Sequence, residues 1–152
     1  MRNLSYNMGK IIVISGHGNY ASGIKSAIEL IAGHREDVYP FDFTVNETDL
    51  TLKEKIESFL NQNVNSQVLF ICDILGGTTF KISAEIANYN DNMEVIIGCN
   101  VGSIIEGLFQ KDGLSISELA DFIVNSSKQT TIKFKKITDN EVNYNLSVDD
   151  GI

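Results

Sequence analysis

Ile11-Ile12-Val13-Ile14-Ser15-Gly16-His17-Gly18 sets four branched apolar residues in front of a histidine held between glycines. An unbroken run of branched side chains suits a strand buried on both faces, and such strands belong to parallel sheets covered by helices. Behind it, Ala21–Ala32 carries Ile24, Ala27, Ile28 and Ile31 at helical spacing, and Gly33 stands where a helix stops. Strand, loop histidine and helix in that order put His17 at the carboxyl edge of the sheet, where open α/β folds bind their ligands. Gly16 and Gly18 leave room for a large partner to approach the ring.

The alternation continues outward from this unit. Ile11–Ser15 is read as the first strand and Val38–Phe43 as the second, with Pro40 marking an edge strand. Thr48–Asn61 is a helix whose inner face is Leu52, Ile56, Phe59 and Leu60. Gln67–Cys72 is the third strand, Thr79–Asn88 a helix and Met93–Gly98 the fourth strand. Val101–Phe109 and Ser117–Lys128 read as helices, with Ser117 as the N-cap of the latter. Thr131–Ile137 and Glu141–Val148 alternate like strands and predict a hairpin around Asp139-Asn140. The expected fold is a single α/β domain over residues 1–152, with its core at about 10–128 and a strand-like tail at 130–152. It is a doubly wound, mainly parallel sheet of four strands with helices on both faces and right-handed crossovers.

The chain of 152 residues is 43% hydrophobic, and its net charge of −8 argues against general nucleic-acid binding. An acidic surface can still steer a basic protein partner. No segment reads as a signal peptide or a membrane span, so the expected location is cytoplasmic. Cys72 and Cys99 each follow an apolar run and fit buried, reduced thiols. With two histidines, two cysteines and no close spacing, no metal site is expected.

The first strand delivers His17 and the third delivers Asp73, and both loops open on one sheet edge. A carboxylate bonded to one ring nitrogen fixes the tautomer, frees the other nitrogen to attack, and stabilises positive charge on the ring. Gly76-Gly77-Thr78-Thr79 stands at a helix start, where unpaired N–H groups and the helix dipole favour an anion. Gly76, Gly77 and Thr78 are the candidate phosphate-binding residues. Alone, Asp73 reads as a turn residue and Gly76-Gly77 as a turn; their placement with His17 on one edge points to phosphoryl transfer. His34, beside Arg35 and Glu36 at a helix end, needs only a solvated helix-terminal role. Neither Gly-x-x-x-x-Gly-Lys-Ser/Thr nor Gly-x-Gly-x-x-Gly is present, which disfavours a nucleotide held by those loops. There is no Gly-x-Ser-x-Gly elbow to favour a hydrolase. A Cys72 nucleophile is disfavoured by the neighbouring carboxylate.

Ile11–Ile31, Val68–Ile86 with Asp73 and Gly76-Gly77-Thr78-Thr79-Phe80, and Val95-Ile96-Ile97-Gly98-Cys99-Asn100 together resemble the IIA component of the mannose family of the sugar phosphotransferase system. The resemblance covers roughly the first 125 residues. It implies that His17 accepts a phosphoryl group from the phosphocarrier HPr and passes it to a IIB partner, with IIC and IID membrane components downstream. Asp73 would orient the imidazole, Thr78 would sit near the phosphoryl group, and no cofactor would take part. It also implies a homodimer with an exchanged C-terminal strand, a part open to Thr131–Ile137. The acidic ending Asp149-Asp150-Gly151-Ile152 resembles the N-acetylgalactosamine-type branch. Leu75 and Thr79 depart from the family's bulky residue and proline, and neither is expected to touch the chemistry. Two other roles stay open: a phosphocarrier serving a dihydroxyacetone kinase, and a binding module that senses phosphorylation.

Overall fold

In a computed structural model of the chain, residues 9–139 are described. Nine elements alternate: β1 (Lys10–His17), α1 (Tyr20–Ala32), β2 (Val38–Phe43), α2 (Asp49–Asn61), β3 (Gln67–Cys72), α3 (Thr78–Asn88), β4 (Met93–Ile97), α4 (Val101–Gln110) and α5 (Ile116–Thr130). A single 3-10 turn at Lys111–Gly113 joins the last two helices. The four strands form one sheet in the order β2-β1-β3-β4, with every pairing parallel. The doubly wound sheet expected from the alternation is therefore present, and Pro40 lies on an edge strand as its backbone chemistry requires.

The period of two along each strand divides the core. Ile12, Ile14, Leu69 and Ile71 face α1, α4 and α5, where they meet Ile28, Ile104, Leu119 and Ile123. Ile11, Val13, Val68 and Phe70 face α2 and α3, where they meet Leu52, Ile56, Leu60 and Ile82. Both faces of the central strands are thus buried, which is why β1 and β3 read as continuous apolar runs. None of the helices among the described residues is long and apolar enough to cross a membrane.

Several boundaries differ from the sequence expectation. β1 runs on to His17 because Gly16 and His17 pair with Asp42 and Phe43 of β2. Thr48 is the N-cap of α2 rather than its first residue, and its side chain accepts from the N–H of Thr51. Helix α5 starts at Ile116 with Ser115, not Ser117, as N-cap. The Ser115 hydroxyl accepts from the Glu118 N–H and the Glu118 side chain reaches back, a reciprocal capping box. The segment Thr131–Ile137 forms no strand; no strand of the described residues pairs with it, and Ile132 and Phe134 are exposed. The partner strand Glu141–Val148, the Asn140 side of the turn and the acidic ending lie outside the described residues.

Candidate phosphoryl-transfer site

Parallel β1 and β3 are adjacent and in register, with Ser15 opposite Cys72, so the next residues of each chain emerge together. The structure brings His17 and Asp73 into direct contact. Asp73 Oδ2 accepts from the backbone N–H of His17 at 2.9 Å and lies 2.9 Å from Nδ1 of the same ring. The other oxygen, Oδ1, accepts from the Ile74 N–H at 3.0 Å and the Thr79 hydroxyl at 3.1 Å. Burial opposes ionisation of Asp73, but the hydrogen bonds from the His17 backbone, the His17 ring and Thr79 outweigh it and hold the carboxyl below its usual range. An ionised carboxylate only accepts, so the proton between the two groups sits on Nδ1. Nε2 is left with a lone pair on a side chain that is 42% exposed, against 9% for Asp73. Phe43 meets the ring edge-on at a centroid distance of 5.6 Å and limits its tilt.

Gly76 adopts φ +78°, a conformation that favours glycine, and turns the chain into α3. Gly77 is the N-cap, and its Cα lies against the histidine ring. The expectation of an open donor at Gly77 is corrected: its N–H donates to the Ile74 carbonyl and closes the turn. At the start of α3 the first-turn N–H groups of Thr78, Thr79 and Phe80 have no partner among the described residues, since no side chain caps the helix. Thr78 is half-buried at the first helical position, on the same turn as the glycines.

The family model described as the PTS system fructose IIA component, EIIA-man, matches residues 11–124. The chain belongs to this IIA family. A sorbose-specific EIIA component from Lacticaseibacillus casei is 28% identical over 130 residues, covering 85% of this chain and 94% of that one. The mannose-specific EIIAB component of Escherichia coli is 32% identical over 120 residues, which are 78% of this chain and 37% of that longer protein. Among solved structures, the phosphotransferase system component EIIA from Streptococcus agalactiae superposes with a TM-score of 0.73 at 28% identity, covering 82% of this chain and 97% of that one.

Two readings of this IIA protein's loops change with the structure. Gly16 is buried and makes no clearing for a partner: a Cβ there would stand 2.3 Å from Cδ1 of Tyr20. The glycine is required by the packing of that ring. Gly18, by contrast, is exposed with φ +60° and nothing within 4 Å of a Cβ, and its N–H is tied to the Phe43 carbonyl. The threonine in place of the family's proline at position 79 was expected to leave the chemistry untouched, yet its hydroxyl is one of the two donors on Asp73 Oδ1. A signal for it was available, because Thr79, Ile82 and Ser83 share the inward face of α3 at i, i+3 and i+4 spacing.

The cysteines of this IIA protein are free and buried, as expected. The Cys72 thiol is pushed up to about 11, chiefly by burial and only secondarily by Asp73. The reason it is a poor nucleophile is therefore mainly desolvation, not the adjacent carboxylate. His34 pairs with Glu29 at the far end of α1, on a solvated surface away from the site. Among the described residues no cluster of three or more His, Cys, Asp or Glu side chains could hold a metal.

Proposed function

We propose that this IIA protein is a histidine phosphocarrier of a sugar uptake system, charged on Nε2 of His17. The observation that carries the reading is the 2.9 Å contact between His17 Nδ1 and Asp73 Oδ2, which assigns the proton to Nδ1 and the lone pair to the exposed nitrogen. The Nε2 lone pair attacks the phosphorus of a phosphohistidine donor. The new N–P bond forms as the donor's N–P bond breaks, and that electron pair returns to the donor imidazole. No proton has to leave His17 Nδ1, and Asp73 balances the positive charge that develops on the ring. Gly76 shapes the turn, Gly77 lets it lie against the ring, and Thr78 with the open first-turn N–H groups faces the incoming phosphoryl oxygens. Such chemistry is positioning plus charge stabilisation and calls for no cofactor.

In this reading the protein works in the cytoplasm, its donor is HPr, its acceptor is a IIB component, and IIC and IID membrane components lie downstream. Exposed Ile132 and Phe134 beyond α5 support a homodimer in which the tail finds its partner on a second copy. The test is to mix the purified chain with phosphoenolpyruvate, enzyme I and HPr and to map the product. An acid-labile phosphate on wild type and none on His17→Ala is expected; a phosphate that persists on folded His17→Ala removes His17 from the role.

A further inference from the structure

We propose that Thr79 is a positioning residue: its buried hydroxyl fixes the Asp73 carboxylate so that Oδ2 remains committed to His17. The inference rests on the phosphocarrier reading for its role in transfer, although the linkage itself is a matter of geometry. Each oxygen of Asp73 accepts two hydrogen bonds, and the two pairs differ in kind. Oδ2 takes both of its bonds from His17. Oδ1 takes one from Ile74, the next residue of its own loop, and one from Thr79 on α3. A carboxylate torsion is broad and roughly two-fold, so neighbours and not intrinsic preference decide its orientation. The Ile74 N–H moves with the loop that carries Asp73, whereas Thr79 is fully buried in a packed helix. The Thr79 bond is therefore the one that refers Oδ1 to the packed body of α3, as the His17 N–H refers Oδ2 to β1, and the two together fix the carboxylate torsion.

The position leaves the hydroxyl few other uses. Thr79 is the second residue of α3, so the helix offers it no carbonyl four residues earlier. Its own carbonyl is occupied by the Ser83 hydroxyl at 2.8 Å and approached by the Cys72 thiol at 3.6 Å. A polar link thus runs from the core of β3 and α3 through Thr79 to Asp73 and the ring.

The test compares full-length wild type with Thr79→Val, which keeps the shape and removes the hydroxyl, and Thr79→Ser, which restores it. Nuclear magnetic resonance of isotope-labelled protein reads the His17 tautomer from its ring nitrogens and the titration of the Asp73 carboxyl carbon. In Thr79→Val the Nε2–H tautomer should gain population, the Asp73 titration should move to higher pH, and the rate of charging by phospho-HPr should fall about threefold to tenfold, as for loss of one hydrogen bond. Thr79→Ser should recover all three. If Thr79→Val does not fold, Thr79→Ser against Thr79→Ala isolates the hydroxyl. Wild-type tautomer, titration and rate in a folded variant lacking the hydroxyl would overturn the proposal. Shifted ring and carboxyl signals in a protein that accepts no phosphate would instead retire the phosphocarrier reading and leave the linkage standing.

Discussion

The Cα of Gly77 faces the ring of His17 so closely that a Cβ on residue 77 would stand 3.0 Å from Cε1 and 3.3 Å from the Ile74 carbonyl. The backbone there, φ −72° and ψ 169°, is open to any residue. Gly77→Ala should therefore fold normally while pushing the imidazole aside by a few tenths of an ångström. Charging by phospho-HPr should slow about tenfold, because transfer depends on alignment of the reacting atoms. Initial rates alongside a melting curve check this; a large loss of rate with only a small fall in melting temperature, from alanine at an N-cap, is the expected pair.

Asp73 links the site to acid stability. Its folded value lies below the ordinary 3.8, with burial opposing and the His17 and Thr79 hydrogen bonds prevailing. A depressed carboxyl adds stability that is fully present above the unfolded value and is lost as pH falls through the lower folded one. Asp73→Asn should thus flatten the acid end of the stability curve below about pH 4. It should also slow charging, since an amide can hold the ring but cannot balance its charge. Chemical denaturation across the acid range reads the first effect and phosphorylation rates the second.

Gly16 and Tyr20 make a second fitted pair. A methyl at residue 16 would come within 2.3 Å of the Tyr20 ring, so Gly16→Ala should cost about 1–3 kcal/mol of overpacking. The double variant Gly16→Ala with Tyr20→Ala should regain part of that loss. Denaturant midpoints for the single and double variants decide it, and simple addition of the two costs would contradict the fit.

Asn100 fastens the start of α4 to the end of α5. Its side-chain oxygen accepts from the Ser103 N–H at 2.8 Å, and its amide donates to the Thr130 hydroxyl at 2.9 Å. Asn100→Ala loses a helix cap and this cross-link, an expected cost of about 1–2 kcal/mol. Hydrogen exchange should show the loss concentrated in the last turn of α5 and the first of α4.

Most of the sheet was legible because its signals are strong. The apolar runs of β1 and β3 admit few other roles, and a parallel sheet of four strands followed from the alternation. Pro40 announced an edge, and Gly33 a helix end. The failures were local. Ser115 and Ser117 are both plausible caps by type, and only the reach of Glu118 back to Ser115 separates them. The tail at Thr131–Ile137 has strand-like alternation, but alternation supplies no neighbour to pair with. At the site, His17 and Asp73 were found because strand ends on one edge must converge. The fit of Gly16 to Tyr20 and the hydrogen bond of Thr79 to Asp73 were missed because each depends on what a side chain elsewhere occupies, the Tyr20 ring in one case and an inward helix face in the other.

The start of α3 differs from the other helix starts. Thr48, Asn100 and Ser115 cap α2, α4 and α5, and the Asp42 carboxylate serves the Ser22 N–H in α1. Among the described residues, α3 alone opens onto the His17 edge with no side chain on its first-turn donors. A cap is worth about 0.5–2 kcal/mol, so the start of α3 carries a local weakness on the His17 edge. An anion held on His17 would quiet that turn. A partner could then tell loaded from spent carrier by the order of a single helical turn, with the sheet beneath it unchanged.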